Sequence, residues 1–109
     1  MSDCGPRCGS IGYALAIIGD KWSGQIVRDL TAGPRRFTEL EQSLAIGPRT
    51  LSQRLESLQE KGIISKKSYA EAPPRVEYAL TNKGEDLLPI LKSMAEWGKK
   101  YHSVQETNL

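Results

Sequence analysis

Cysteine and histidine are scarce in this chain: Cys4, Cys8 and His102 are the only ones in 109 residues. A closed zinc site takes about four nitrogen or sulfur ligands. The C-x3-C pair has no such company, so neither metal nor cofactor is expected. Long apolar runs are also missing, and none approaches the ~20 residues of a membrane span. Where a signal peptide would build an apolar segment, the chain has Cys4, Pro6, Arg7 and Cys8. The expectation is a cytoplasmic protein of bacterial type with no membrane partner. There is no phosphate-binding glycine loop and no nucleophile elbow, and the one histidine lies in a tail-like segment. Enzyme chemistry is therefore not expected. A small oxidoreductase using Cys4 and Cys8 would be the sole version, and the spacing is not the C-x-x-C of that fold. Repeats, low-complexity tracts and linkers are absent. The size is that of a single domain, 1–109, with an irregular segment over 1–9 and a tail over 104–109.

Net charge is only +2, but its distribution is uneven. Arg35, Arg36, Arg49, Arg54, Lys66, Lys67 and Arg75 all fall in the middle of the chain, the kind of clustering that serves nucleic-acid binding. Around them, periodicity defines the elements. A first helix is expected over 10–18 with Ser10 as cap, ended by Gly19. Asp20 then caps a second, in which Trp22, Ile26 and Leu30 share a stripe and which stops at Gly33-Pro34. Thr38 followed by Glu41 has the spacing of a capping box for a third helix that buries Phe37, Leu40 and Leu44. Pro48 suits the first position of a fourth helix, with Gly47 as cap and Ile46 and Leu51 as a hydrophobic staple. That helix should stop at Gly62.

Two strands follow, over 63–69 and around Arg75 to Leu80, where Val76, Tyr78 and Leu80 alternate with Arg75, Glu77 and Ala79. The link between them contains two prolines and reads as a stiff loop. Thr81 caps a final helix reaching about residue 103. Pro89 inside it removes a donor and should bend or interrupt it near Glu85. The fold class is thus mostly α with a small β-hairpin: helix, helix, helix, helix, two strands, helix. Two helices joined by a short turn and followed by a strand pair form a winged helix-turn-helix. Its second helix presents its outer face to the major groove.

The stretch AIGPRTLSQRLESL over 45–58 is the most telling. Leu51, Leu55 and Leu58 make one apolar stripe. Arg49, Gln53 and Glu56 lie opposite, with Thr50 and Ser57 beside them. Arg49, Thr50 and Gln53 are the expected base readers: Arg pairs with guanine, Gln with adenine, and the Thr methyl meets that of thymine. Arg54, on the flank, is a phosphate contact or a partly packed side chain. Glu56 would repel phosphate and belongs beyond the groove. Arg75 is a candidate wing contact. Lys66 and Lys67 either neutralise phosphate or guard an exposed strand edge. Arg35 and Arg36 either hold phosphate or brace the turn, and Thr38 could offer its hydroxyl to phosphate besides capping.

Beyond topology, the strings GDKWSGQIVRDL, GPRRFTEL, GPRTLSQRLESLQEKGII, PPRVEYALTNKG and LLPIL occur in order. Together they resemble the HxlR-type family of bacterial winged-helix transcription regulators, from Cys8 to about Trp97. The resemblance implies a DNA-binding dimer paired through its N- and C-terminal helices. Some members of that family sense electrophiles or oxidants through a cysteine just before the first helix, the position of Cys8. The Cys-Pro pair common there is Cys8-Gly9 in this chain, and Cys4 is an additional thiol. A helix N-terminus and Arg7 both favour thiolate at Cys8. Cys4 and Cys8 can be inert thiols, a reversible disulfide, or a sensor with a resolving partner.

The dimer has a reading of its own in the residues. Trp97 and Tyr101, with Leu91, Met94 and Gly98, are generous for a monomer of this size, and are expected to meet Tyr13, Leu15 and Ile18 across a twofold axis. The alternative is packing of the last helix within its own chain. The expected function is a homodimeric, sequence-specific regulator on a palindromic promoter site of double-stranded DNA, open to a small-molecule or oxidant effector. The alternative is a winged-helix module that docks a partner protein.

Overall fold

The computed structural model describes residues 9–107, with side chains as far as His102. Four helices come first: α1 (Gly9–Ile18), α2 (Ser23–Asp29), α3 (Phe37–Leu44) and α4 (Pro48–Glu60). A single 3-10 turn, Leu30–Ala32, extends α2 before Gly33 leaves it at φ 129°. The hairpin β1 (Ile64–Tyr69) and β2 (Arg75–Leu80) follows, then a short α5 (Asn82–Glu85) and the long α6 (Leu88–Thr107). This mostly helical chain with one antiparallel hairpin is a winged helix-turn-helix.

The core is aliphatic. Ile26 and Val27 of α2, Leu40 of α3 and Leu51 of α4 are fully buried, and Leu55, Leu58 and Ile63 nearly so. Each such side chain contributes roughly 1.5–3 kcal/mol by leaving water. Tyr78 reaches this core from β2, and Val76 and Leu80 pack against it, as the period-two pattern required. The hairpin register pairs Ile64 with Leu80, Lys66 with Tyr78, Lys67 with Glu77 and Tyr69 with Arg75.

The start of α3 departs from expectation. Thr38 is not its cap: the helix opens at Phe37, and the backbone N–H of Arg36 donates to Glu39 Oε1 at 2.8 Å. The reciprocal half of the box is therefore shifted two residues upstream. The cause is tertiary. Arg35 exchanges two backbone hydrogen bonds with Tyr78, at 2.9 and 2.8 Å, which draws the chain along β2 and leaves Arg36 extended. The helix begins as soon as that bridge releases it. Both Thr38-x-x-Glu41 and Arg36-x-x-Glu39 have the right spacing, and only the bridge decides between them.

The C-terminal helices meet the expectation for Pro89. The helical run opened by Thr81 ends at Glu85, the residue whose carbonyl Pro89 cannot serve, and α6 starts at Leu88. It continues to Thr107, so 104–107 are helical rather than a tail. Thr81 joins these elements to the rest. Its N–H donates to the Ile63 carbonyl at 3.0 Å and its hydroxyl to the Gly62 carbonyl at 2.6 Å, while it accepts from the Gly84 N–H at 3.1 Å. Gly84 is required there, because a Cβ would run into the Ile63 carbonyl oxygen.

Asp20 does cap the entry to α2. Its Oδ2 accepts from the backbone N–H groups of Trp22 and Ser23, both at 3.0 Å. Its Oδ1 faces Arg54 of α4 at 3.7 Å. Partial burial pushes this carboxyl up. The hydrogen bonds from Ser23 and from the Trp22 and Ser23 amides, with the Arg54 charge, outweigh burial and hold it below the usual carboxylate range. A lowered folded-state value means stability that is present at neutral pH and lost as pH falls through it. Asp20→Ala should therefore lower stability by about 1 kcal/mol at pH 7. The gap to the parent should begin to narrow near pH 4, where the unfolded carboxyl starts to protonate, and close as pH falls through the lower folded value. Urea midpoints across that pH range check both the size and the sign.

Candidate nucleic-acid interface

The pair α3–α4 is joined by three residues, Ala45 to Gly47. Ala45 closes α3 in the left-handed region at φ 53°, with its N–H on the Glu41 carbonyl. This conformation disfavours a side chain, yet it turns the chain sharply enough for α4 to start three residues later. Gly47 caps α4 in extended conformation and Pro48 occupies its first turn. Ile46 and Leu51, at the staple positions, are both in the core.

Burial of Leu51, Leu55 and Leu58 fixes the rotation of α4. Arg49, Ser52, Gln53, Glu56 and Glu60 are exposed, while Thr50 and Arg54 are half-buried. Arg49 and Gln53 thus stand on the outer row. Thr50 lies at its edge. Ser52 also belongs to that row and is not among the residues singled out from sequence. It lies three positions after Arg49 and one before Gln53, so helical spacing alone is enough to place it there. Among the described residues, Arg49 and Gln53 have no ion pair or side-chain hydrogen bond. Arg54 is committed to Asp20 and ties the flank of α4 to the α1–α2 turn.

At the entry to α3, Arg36 and Thr38 are exposed and Arg35 is half-buried. Arg35 is braced by its backbone bridge to Tyr78. On the hairpin, Lys66 and Lys67 are both exposed on β1, the strand that lacks a second neighbour among the described residues. Because side chains alternate along a strand, the two lysines point to opposite faces. Lys67 shares its face with Tyr69, Arg75 and Glu77, and its Nζ lies 5.1 Å from the Tyr69 ring centre. Arg75 is occupied rather than open. It pairs with Glu71 at 3.2 Å and Glu77 at 3.6 Å, and its guanidinium stacks 3.9 Å from the centre of the Tyr69 ring.

A second surface lies away from α4. On α1, Ile11, Tyr13 and Leu15 are exposed; on α6, Ile90, Met94, Trp97 and Tyr101 are exposed, with Trp97 at 69%. The Trp97 and Tyr101 rings lie 5.1 Å apart. Two of the residues expected to meet a partner do not belong to this surface. Ile18 is 6% exposed in the core, and half-buried Leu91 packs against the same core. Helix position alone puts both on the pairing face, whereas the inward stripes of α1 and α6 run through them. Ile11 and Ile90, not singled out from sequence, join the surface instead. Tyr13 also accepts a hydrogen bond from Lys83 Nζ at 2.9 Å. Cys4 and Cys8 lie outside the described residues, and α1 begins at the residue after Cys8.

A family model described as HxlR-like helix-turn-helix matches residues 17–106. A protein of Methanothermobacter thermautotrophicus, described as an uncharacterized HTH-type transcriptional regulator, is 41% identical over 100 residues, which is 91% of this chain and 76% of that protein. The redox regulator HypR in its reduced form superposes with a TM-score of 0.81 at 36% identity, covering 89% of this chain and 97% of that one. The transcriptional regulator YodB of B. subtilis, also reduced, gives a TM-score of 0.78 at 30% identity over 86% of this chain and 93% of that one. No helix among the described residues is long and apolar enough to cross a membrane. A matched family model over most of the chain, a relative of such identity and an α4 turned outward by its own leucines lead to one conclusion: the chain belongs to the HxlR-like helix-turn-helix family and is a transcriptional regulator of the helix-turn-helix type.

Proposed function

We propose that the chain is a homodimeric, sequence-specific DNA-binding regulator that reads a palindromic promoter site with α4 and responds to oxidants or electrophiles through Cys8. The observation that carries the first part is the outer row of α4, where Arg49 and Gln53 stand exposed and uncommitted beside half-buried Thr50. Arg49 and Gln53 have the donor and acceptor geometry for guanine and adenine edges, and the Thr50 methyl suits thymine. Arg36, Thr38, Lys66 and Lys67 supply exposed groups for phosphate, which fixes register without reading sequence. Arg35 positions the α3 entry through its backbone.

The dimer rests on the exposed apolar surface of α1 and α6. Tyr13, Leu15, Met94, Trp97 and Tyr101, with Ile11 and Ile90, are more than scattered surface hydrophobes and mark an interaction face. A twofold axis there would present two α4 helices, which reach successive major grooves when roughly 34 Å apart. Responsiveness at Cys8 is supported by its position directly before α1 and by the description of HypR as a redox regulator. Cys4 is the candidate resolving thiol.

Three outcomes are expected. Arg49→Ala relaxes base preference in DNA selected from a random pool and loses on the order of 1–3 kcal/mol of binding; equal binding to the parent's selected site would defeat the assignment of α4 and favour a module that docks protein. Trp97→Glu shifts the parent's dimer toward monomer in light scattering, and a monomeric parent at micromolar concentration removes the dimer. Diamide changes the affinity of the parent for its site but not that of Cys8→Ser, and an equal response of both removes the thiol sensor.

A further inference from the structure

The wing carries a charge cluster that DNA binding alone does not explain. Arg75, at the start of β2, would be the natural wing cation, yet its guanidinium is engaged on three sides. The planar group lies on the Tyr69 ring at 3.9 Å, Glu71 approaches one terminal nitrogen at 3.2 Å, and Glu77 approaches Nε at 3.6 Å. Nε itself is shut off from solvent and makes no hydrogen bond. The three partners come from both strands and from the loop. Tyr69 is the direct cross-strand partner of Arg75, and Glu77 sits two residues along the same face, opposite Lys67. Glu71 is held in the loop by its own N–H on the Tyr69 carbonyl at 2.9 Å.

We propose that Glu71 and Glu77 withhold Arg75 from phosphate, so that Arg75 is a positioning residue for the wing and the two carboxylates set how weakly the wing grips DNA of any sequence. A regulator needs a large ratio between its own site and all other DNA, and unselective phosphate contacts raise affinity for both alike. A guanidinium neutralised by two carboxylates keeps the wing rigid through its ring stack and adds no counterion release. To turn wholly toward a phosphate, Arg75 would have to loosen its contacts with Glu71, Glu77 and the Tyr69 ring. The backbone-facing charge of the wing is then left to Lys66 and Lys67, neither of which has an ion pair among the described residues. Glu71 and Glu77 act as specificity determinants by weakening the wrong complexes, not by strengthening the right one.

This inference rests on the DNA-binding reading, and the salt dependence of binding to a mixed-sequence duplex tests the two separately. Fluorescence anisotropy over a range of salt gives the slope of log K against log[salt], which changes by about 0.9 for each phosphate that the protein neutralises. Arg75→Gln is expected to leave the slope of the parent unchanged. Glu71→Gln with Glu77→Gln, near-isosteric changes at an exposed and a half-buried position, is expected to steepen it by about 0.9 and tighten mixed-sequence binding, because Arg75 is released. Adding Arg75→Gln to that pair should return the slope to the parent's value. A slope made shallower by about 0.9 in Arg75→Gln alone would make Arg75 a direct phosphate contact and overturn the proposal. So would an unchanged slope in the double variant, or a steep slope that persists in the triple one. If the parent binds no duplex, the DNA-binding reading itself falls and the inference falls with it.

Discussion

Burial of Leu51, Leu55 and Leu58 is the constraint on which the rest depends. A helix that sinks three leucines into one aliphatic core has a single rotation available, and everything on its opposite side follows. Arg49, Ser52 and Gln53 are exposed because those leucines are not. The flank is then held by Arg54, which reaches Asp20 across to the α1–α2 turn. Asp20 in turn receives the first amides of α2. Apolar burial sets the face of α4, and a half-buried ion pair steadies its edge against the helix that precedes the motif.

The remaining elements hang from two backbone junctions. Arg35 and Tyr78 exchange hydrogen bonds, so the entry to α3 and the second strand of the wing are one unit. Thr81, Gly84 and Ile63 form the other, locking the end of the hairpin to the start of the last two helices. Neither junction involves a large side chain. Both use close approach of main chain to main chain, which is stiff and short in range. The wing therefore cannot swing freely relative to α3, and its tip alone, the segment around Glu71 and the two prolines, is left to side-chain restraint. The cluster on Tyr69 supplies that restraint.

Much of this is legible from residue order. The leucine spacing locates the outward face of α4, Gly47-Pro48 locates its start, and Pro89 locates the break before α6. Each of these rests on local chemistry: helical period, a missing donor, a fixed φ. Part of what is not legible depends on distant parts of the chain. The α3 cap moves to Arg36 because of Tyr78, more than forty residues later in sequence. Ile18 and Leu91 turn inward because α1 and α6 each pack against α2, which no single-helix pattern reveals. Ser52 is within reach of helical spacing, but serine is not a conspicuous base reader. Arg75 reads as a wing cation although its partners Glu71 and Glu77 lie only four and two residues away, because it is the hairpin that gathers them beside Tyr69.

The division of basic residues follows from the same physics. Arginine is suited to planar, multi-partner contacts, and two of the arginines expected at the DNA face, Arg54 and Arg75, are spent on carboxylates of their own chain. Arg49 stands uncommitted on the outer row of α4, and the exposed lysines of the hairpin lie on a strand with no second neighbour among the described residues. Lysine is a point charge on a flexible stem and suits contacts that do not discriminate sequence. A chain with a net charge of +2 thus leaves Arg49 uncommitted on one helix while Arg54 and Arg75 are paired within the chain. In such an arrangement the overall charge says little about DNA binding: what counts is which cations are uncommitted, and Arg54 and Arg75, paired with Asp20, Glu71 and Glu77, are not.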